Sequence, residues 1–235
     1  MKMLSAFFLA DFNLNDKFIT LDKKESHHAI SVRRIKVGEE VYLTNGQGLV
    51  ARGKCTSADQ KLEVSIVEII KIDKFKPQVT VAQAVLKGER SDFAVELMTE
   101  VGVCEIVFWP AERSVAKIDK KLEKALQRWQ QIATTAIKQS RQAWLPKVSY
   151  LKDFAQLTES ITDFDAIFLL DFEASQNLST MHDYLKILFI VGPEGGLTAD
   201  EKSQLISRGV KSINVGNTVL RGSTAGAIAA ALALN

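Results

Sequence analysis

The chain has 235 residues, 46% of them hydrophobic and 25% charged, which excludes a disordered or fibrous polymer and allows one large globular domain or two modest ones. Its net charge of +2 is unevenly spread: the first 150 residues carry an excess of six basic groups and the remainder an excess of four acidic ones. A polyanion would therefore meet the earlier part of the chain and be repelled by the last third.

Two cysteines, Cys55 and Cys104, fit no metal-ligand spacing and point to free thiols in a reducing compartment. "MKMLSAFFLADF" has too short an apolar run and too little basic charge before it for a secretory signal, and reads as a first strand. "TAGAIAAALAL" falls short of the ~20 residues a membrane helix needs, so it reads as a buried helix and the protein as cytoplasmic.

Up to about residue 72 the pattern is that of a small β-barrel. "KFITL", "EEVYLTNGQGLVARGKCTSA" and "LEVSIVEII" alternate between apolar and polar residues. Asn45-Gly46 and Gln47-Gly48 mark a hairpin between "VYLT" and "LVARGKC". "SHHAISVRRIKVGE" suits one short helix or turn displaying His27, His28, Arg33 and Arg34. The charged stretch "KIDKFKP", residues 71–77, ends in proline and places a linker at 73–78.

From residue 79 to 235 strands alternate with helices. Strands are expected at 79–85, 105–109, 147–151, 166–171, 187–191 and 211–215, and helices at 91–101, 117–142, 153–161, 198–208 and 223–234. This is the signature of an α/β domain with a mostly parallel sheet covered on both faces. In the 117–142 helix, Ile118, Leu122, Ala125, Trp129, Ile132 and Ala136 form one apolar stripe, and Lys117, Lys120, Lys121, Lys124, Arg128, Lys138 and Arg141 supply a basic remainder. A solvated helix face accounts for that remainder as well as RNA contact does.

Ligands of parallel sheets sit beyond the carboxyl ends of the strands, which here lead into "FLLDFE", "IVGPEGG" and "INVGNTVLRGSTAG". Thr198 with Glu201 forms a capping box, and Ser223 or Thr224 caps the last helix. Glycines beside helix starts suit an anion. However, G-x-x-x-x-G-K-[ST] and G-x-G-x-x-G are both missing, and Glu194 inside "GPEGG" would repel a phosphate and favour a positively charged ligand. His27, His28 and His182 have no zinc spacing, and no G-x-S-x-G elbow exists. No metal is expected.

"VGPEGGLTADE" followed by "VGNTVLRGSTAGAIAA" resembles the SPOUT class of knotted RNA methyltransferases, and within it the 16S ribosomal RNA uridine-N3 methyltransferases, the RsmE family. "KGERSDFAVELMTEVGVCEIVFWPAERSV", "RWQQIATTAIKQSRQAWLPKV" and "HHAISVRRIKVGEEVYLTNGQG" are similar to that family's other blocks, in order. The resemblance implies an N-terminal PUA-like RNA-binding β-barrel (1–72) and a C-terminal SPOUT α/β domain (79–235) with a deep trefoil knot and a homodimer interface.

It also implies S-adenosyl-L-methionine held by three loops: Leu170 and Asp171; Gly192, Pro193, Glu194, Gly195 and Gly196; and Val215, Gly216, Asn217, Leu220, Arg221 and Ser223. Arg221 is the expected cation for charge developing on the base, with Glu194 as the second catalytic candidate; no general base is assigned, Glu194 and Asp171 being the carboxylates at hand. An ion pair of Arg221 with Glu194, or with a carboxylate of the dimer partner, is the structural alternative. RNA contact is expected from His27, His28, Arg33, Arg34, Arg113, Arg128, Lys138 and Arg141, with 16S rRNA of the small ribosomal subunit as partner. The chain departs from the family at Gly222, where threonine is usual. That loss leaves room for a non-catalytic RNA-binding assembly factor, and the shared loops also fit a methyltransferase acting on another RNA position.

Overall fold

A computed structural model describes residues 4–115, 118, 121–176 and 184–234. The chain divides into two compact units, one of residues 1–74 with 137–145, the other of residues 75–136 with 146–235.

The first unit is a five-stranded sheet in the order β1-β3-β4-β5-β2. It is built from β1 (Ser5–Phe8), β2 (Phe18–Thr20), β3 (Glu40–Thr44), β4 (Leu49–Ala58) and β5 (Leu62–Lys71). β1 runs parallel to β3 and every other pairing is antiparallel. Alternation sends Phe7, Val41, Leu43, Leu62 and Val64 to one buried face, so the register is fixed by the core. β4 carries register shifts at Arg52/Gly53 and Cys55/Ser57, the bulges that bend a strand. The β3–β4 hairpin lies where its turn residues predict. Asn45 Oδ1 accepts from the Gln47 and Leu49 N–H groups at 2.8 and 3.0 Å, while Gly46 and Gly48 hold φ of +69° and +95°.

Between β2 and β3 the expected single helix is a helix and a wider turn: α1 (Lys23–His27) runs into a π-helical turn at His28–Val32. Asp22 caps α1 through the Glu25 N–H at 2.8 Å. The π turn closes with Arg33 N–H on His28 O at 2.9 Å, and just beyond it Ile35 N–H reaches Ala29 O at 3.1 Å across Arg34, which sits in the left-handed region at φ 56°.

The second unit holds a six-stranded, wholly parallel sheet in the order β11-β9-β10-β6-β7-β8. Its strands are β6 (Gln78–Ala84), β7 (Glu105–Trp109), β8 (Lys147–Tyr150), β9 (Ala166–Leu170), β10 (Lys186–Val191) and β11 (Lys211–Ile213). The helices are α2 (Arg90–Val101), α3 (Leu122–Ser140), α4 (Phe154–Ser160), α5 (Ala199–Ser207) and α6 (Gly222–Leu234). The last turn of α3 falls in the first unit. Most ends match the sequence expectation closely; the 117–142 helix is observed only over Leu122–Ser140, and Lys117 and Lys120 lie outside the described residues.

Near-continuous apolar runs such as "KILFIV" suit strands covered on both faces. α2 and α6 pack against each other, with α6 over β6 and β10. Ala82, Ala84, Leu169, Leu188 and Ile190 face the other way, onto Leu157 of α4 and Leu205 of α5. In α3 the buried positions are Trp129, Ala133, Ala136 and Ile137, while Ile132 is half-buried. The stripe is turned slightly from the sequence-derived one, because Trp129 stacks on Phe108 with centroids 3.9 Å apart. Among the described residues no helix is long and apolar enough to cross a membrane.

Candidate cofactor and RNA sites

In the second unit a cavity lies at the carboxyl ends of β9 and β10. Leu169 to Glu173, Val191 to Glu194, Gly196 to Ala199, Arg113, Lys202, and Val219, Leu220, Gly222 and Ala225 surround this cavity of about 590 Å³. All three sequence-marked loops reach it. β9 ends in Leu170-Asp171, β10 ends in Gly192-Pro193-Glu194, and the segment before α6 brings Leu220 and Gly222. Val215 lines a smaller recess of about 60 Å³ that shares Leu170, Asp171, Phe172, Leu220 and Ala225 with the main cavity.

Glycine has a physical reason at two of these positions. A Cβ on Gly222 would stand 3.2 Å from Leu86 Cδ2 and 3.3 Å from the Gly192 carbonyl, and Gly196 takes φ +70°, where side chains are strained. Gly222 is thus occupied by packing. It does not signal a slack loop.

The polar groups are anchored. Thr198 and Glu201 form the expected capping box at α5, and Glu201 Oε1 also accepts the Glu112 N–H at 2.9 Å. Asp171 is ion-paired with Lys202 and accepts the Glu173 N–H at 3.0 Å. Burial alone would raise the Asp171 pKa, but the Lys202 ammonium and the Glu173 N–H outweigh it, and the carboxyl is held below its ordinary value. Glu194 Oε1 accepts from the Lys87 N–H and from Arg90 Nη1, both at 3.2 Å. Its partner is therefore Arg90, and the anticipated Arg221–Glu194 pair is not formed.

Arg221 is placed differently from the expectation. Leu220 and Gly222 on either side of it line the cavity, but Arg221 itself lines a neighbouring groove with Lys87, Phe93, Ser223 and Thr224. Its carbonyl accepts the Thr224 and Ala225 N–H groups at the start of α6. No hydrogen bond or ion pair reaches its guanidinium among the described residues. Ser223 lines that groove too. Gly195 packs on Arg113 at the cavity edge, the Gly216 N–H is bound by Asn214 Oδ1 at 3.0 Å, and Asn217 is exposed and lines neither space.

The expected RNA contacts fall into three groups. His27, Arg33 and Arg34 are exposed on the π turn of the first unit, with His27 Nδ1 3.2 Å from Ser31 Oγ. His28 is half-buried, edge-on to Phe7; burial, and after it the Lys138 charge, hold its imidazole below the usual pKa despite Glu25. The shift favours the neutral, hydrogen-bonding ring over the phosphate-binding cation.

Lys138 and Arg141, also in the first unit, are committed to structure. Lys138 Nζ is buried against Glu25 Oε1 at 2.7 Å. Arg141 ends α3 at φ 57°, donates to the Leu4 carbonyl at 3.0 Å and lies over the Tyr42 ring. In the second unit, Arg128 pairs with Asp92, which also accepts from Trp129 Nε1 at 3.0 Å. Arg113, expected on RNA, lines the cavity at the sheet edge and donates to the carbonyls of Gly195 and Leu197 at 3.2 and 3.3 Å. Lys202 and Phe172 line the cavity without having been singled out in the sequence. Only the position of Lys202 within α5, one turn past the Thr198 cap, hinted at it. Among the described residues no group of three or more His, Cys, Asp or Glu is placed to hold a metal; His182 lies outside them.

Comparisons with known proteins place this arrangement. A family model described as an RNA methyltransferase domain matches residues 74–234, and one described as an RNA methyltransferase PUA domain matches residues 21–69. A Mycobacterium bovis protein named ribosomal RNA small subunit methyltransferase E is 35% identical over 217 residues, 89% of this chain and 83% of that one. A Bacillus subtilis protein of the same name is 28% identical over 214 residues, 86% of this chain and 84% of that one. Among solved structures, a Neisseria gonorrhoeae ribosomal RNA small subunit methyltransferase E bound to S-adenosyl methionine superposes with a TM-score of 0.84, covering 97% of this chain and 96% of that one at 24% identity. That likeness establishes the fold, and with the two family models the architecture is an N-terminal PUA-like unit followed by a parallel-sheet RNA methyltransferase unit.

Proposed function

Because the chain belongs to the ribosomal RNA small subunit methyltransferase E family of RNA methyltransferases, we propose that it methylates N3 of one uridine in 16S rRNA, with S-adenosyl-L-methionine as donor. The observation that carries this reading is the 590 Å³ cavity closed by three turns at the sheet edge. Its volume is in the range of small-molecule sites. Its lining combines aliphatic side chains and close-packed glycine backbone with three carboxylates against two cations, Asp171, Glu173 and Glu194 against Arg113 and Lys202. An amphipathic ligand with a positive centre fits that chemistry better than a phosphate.

Leu170, Leu197 and Leu220 would flank the flat and aliphatic parts of the donor, the Gly192–Gly196 backbone its polar edge, and Asp171 and Glu173 its hydroxyl or amino groups. When bound, S-adenosylmethionine supplies an electrophilic methyl group together with its own leaving group. What remains for the chain is to hold uracil in line, exclude water and balance the charge that appears on the base as N3 loses its proton. Arg221, whose guanidinium meets no partner among the described residues, is the group we assign to that charge. Glu194, engaged by Arg90, holds the loop in place and is a poorer candidate for proton transfer.

We divide the labour at the linker 73–78, with RNA docking by unit 1–72 and chemistry in unit 79–235. We further propose that the latter is threaded as a trefoil knot and pairs with a second copy, in the cytoplasm where ribosomal subunits are assembled. His27, Arg33 and Arg34 are the exposed groups available to RNA on the first unit. Calorimetry with S-adenosylmethionine, followed by mass mapping of 16S rRNA from cells lacking the protein, tests the assignment. Micromolar binding and loss of one 3-methyluridine are expected. No cofactor binding, or a methyl missing elsewhere, would refute it, and light scattering tests the dimer. The assembly-factor reading loses its support, since Gly222 is explained by its packing on Leu86.

A further inference from the structure

Beside the cofactor cavity, and separated from it by the Leu220–Gly222 segment, lies a groove of about 770 Å³ between the starts of α2 and α6. Both structural ties of this groove lead to the cavity. Arg221 lies between two cavity-lining residues, and Glu194 of the cavity is bonded to Lys87 and Arg90 on the groove side. A ligand in the groove is therefore adjacent to whatever occupies the cavity.

The groove's surface suits one nucleotide turned out of its stack. Phe93, 47% exposed on α2, offers a ring face, Arg221 and Lys87 offer cations, and the Thr224 hydroxyl stands beside them. Three carboxylates also line it, Glu89, Asp92 and Glu96. Asp92 is consumed by Arg128 and Trp129. No hydrogen bond or ion pair reaches the side chains of Glu89 or Glu96 among the described residues. Glu89 lies between Lys87 and Arg90, the two residues that grip Glu194, whereas Glu96 is two helical turns further along α2 and away from that junction.

We propose that this groove receives the target uracil and that Glu89 is the general base that removes its N3 proton, a role that rests on the methyltransferase reading above. Both carboxylates considered from sequence are already engaged, Asp171 by Lys202 and Glu194 by Arg90 and Lys87; Glu173, whose carboxylate meets no partner among the described residues, lines the cavity and not the groove, so Glu89 is the unengaged carboxylate of the groove that stands in sequence beside the Lys87 and Arg90 tie. The step balances. N3 exchanges its proton for a methyl group, the proton goes to the Glu89 carboxylate, and the donor's positive charge is discharged as its carbon–sulfur bond breaks. Arg221, across the groove, stabilises the negative charge that passes through the uracil oxygens. The pair thus divides one task, a base for the proton and a cation for the charge.

The test uses the full-length protein and small ribosomal subunits purified from cells lacking it. Single-turnover methyl transfer is followed from about pH 6 to about pH 9, and donor affinity is measured by calorimetry. The expected result is a Glu89→Gln rate lower by about 10²- to 10⁴-fold near neutrality, the range of general-base catalysis, with donor affinity unchanged. Its rate should climb about tenfold per pH unit where the wild type levels off, because the uracil must then ionise unaided. Glu89→Asp should recover part of the rate, and Glu159→Gln, an exposed carboxylate of α4 outside the groove, should behave as wild type.

A readout without turnover completes the test. The wild type should bind unmethylated subunits more tightly than subunits already carrying the N3 methyl, and Glu89→Ala should lose that preference. A Glu89→Gln protein with the wild-type rate and pH profile overturns the proposal, as does loss of donor binding or transfer of the defect to Glu96→Gln. A wild-type protein that leaves N3 unmethylated overturns the methyltransferase reading, and this proposal falls with it.

Discussion

Glu194 and Arg90 join the glycine-rich turn after β10 to the first turn of α2, carboxylate Oε1 to guanidinium Nη1 at 3.2 Å. The same oxygen takes the Lys87 N–H, so a single carboxylate spans two loops that are 104 residues apart in the case of Arg90. Half of the Arg90 side chain is exposed, and such pairs contribute about 0–1 kcal/mol to stability. Glu194→Gln should accordingly leave the unfolding midpoint almost unmoved. Donor affinity should fall roughly tenfold, ~1.4 kcal/mol, because the glycine-rich turn loses its tether. Calorimetry beside thermal unfolding checks both; a variant that melts early yet binds normally would show that the tie is structural only.

Asp171 predicts a pH dependence. Burial opposes ionisation, but Lys202 and the Glu173 N–H prevail, so the folded-state pKa lies below the unfolded one. For a depressed carboxylate the stabilisation is present above the unfolded value, about 4, and is lost as the pH falls through the folded value. Asp171→Asn should therefore flatten the acid limb of the stability curve below about pH 4 and leave its shape at neutral pH unchanged. Urea unfolding at several pH values measures this, and an acid limb as steep as that of the wild type would contradict it.

Arg34 predicts opposite effects on stability and binding. An arginine at φ 56° follows the π turn where glycine would be free of strain, at a cost of about 1–2 kcal/mol. Arg34→Gly should raise stability by about 0.5–1 kcal/mol, after allowing for the added freedom of the unfolded chain. RNA affinity should fall, and the salt slope should shrink by about 0.7–0.9 if one phosphate contact is lost. Reversing both Arg33 and Arg34 to glutamate should weaken binding further without unfolding the protein. Unchanged RNA affinity in that double variant would remove the first unit from substrate recognition.

Gly222 gives a packing prediction. Restoring threonine there forces a Cβ to within 3.2 Å of Leu86 Cδ2 and 3.3 Å of a fixed carbonyl. Gly222→Thr should cost about 1–3 kcal/mol, the range for overpacking a tight site. Shortening the neighbour in Gly222→Thr/Leu86→Val should recover part of that, a coupling a double-mutant cycle measures. Strict additivity would mean that Leu86 is not what limits the residue at 222.

Strands of the second unit were legible because each is a short apolar run between turn signals, and Thr198 with Glu201 announced α5 directly. The three loops could be named because they follow those strands. What escaped the sequence was the use of individual charges. Lys138 is buried by a carboxylate 113 residues away, Arg113 faces carbonyls of the glycine turn, and Lys202 meets Asp171 across 31 residues. No local pattern encodes such pairings. A basic residue on a helix reads alike whether it faces solvent or a distant carboxylate. The π turn escaped for a similar reason, since its hydrogen bonds differ from those of an α turn by a single residue of spacing.

The first unit takes residues 137–145 as well as 1–74, and the hairpin glycine Gly46 leaves room for Leu145, whose Cβ would lie 2.9 Å from any Cβ placed there. Tyr42 and Thr44 bond the carbonyls of Arg141 and Gln142. A chain emerging from the ribosome cannot complete that unit when its last strand appears. It must wait about 70 residues more, several seconds at about 5–20 residues per second, with the Glu25 carboxylate meanwhile lacking its lysine. The first unit of this protein is therefore finished only after residues 75–136 of the second have been synthesised, which couples the birth of the two.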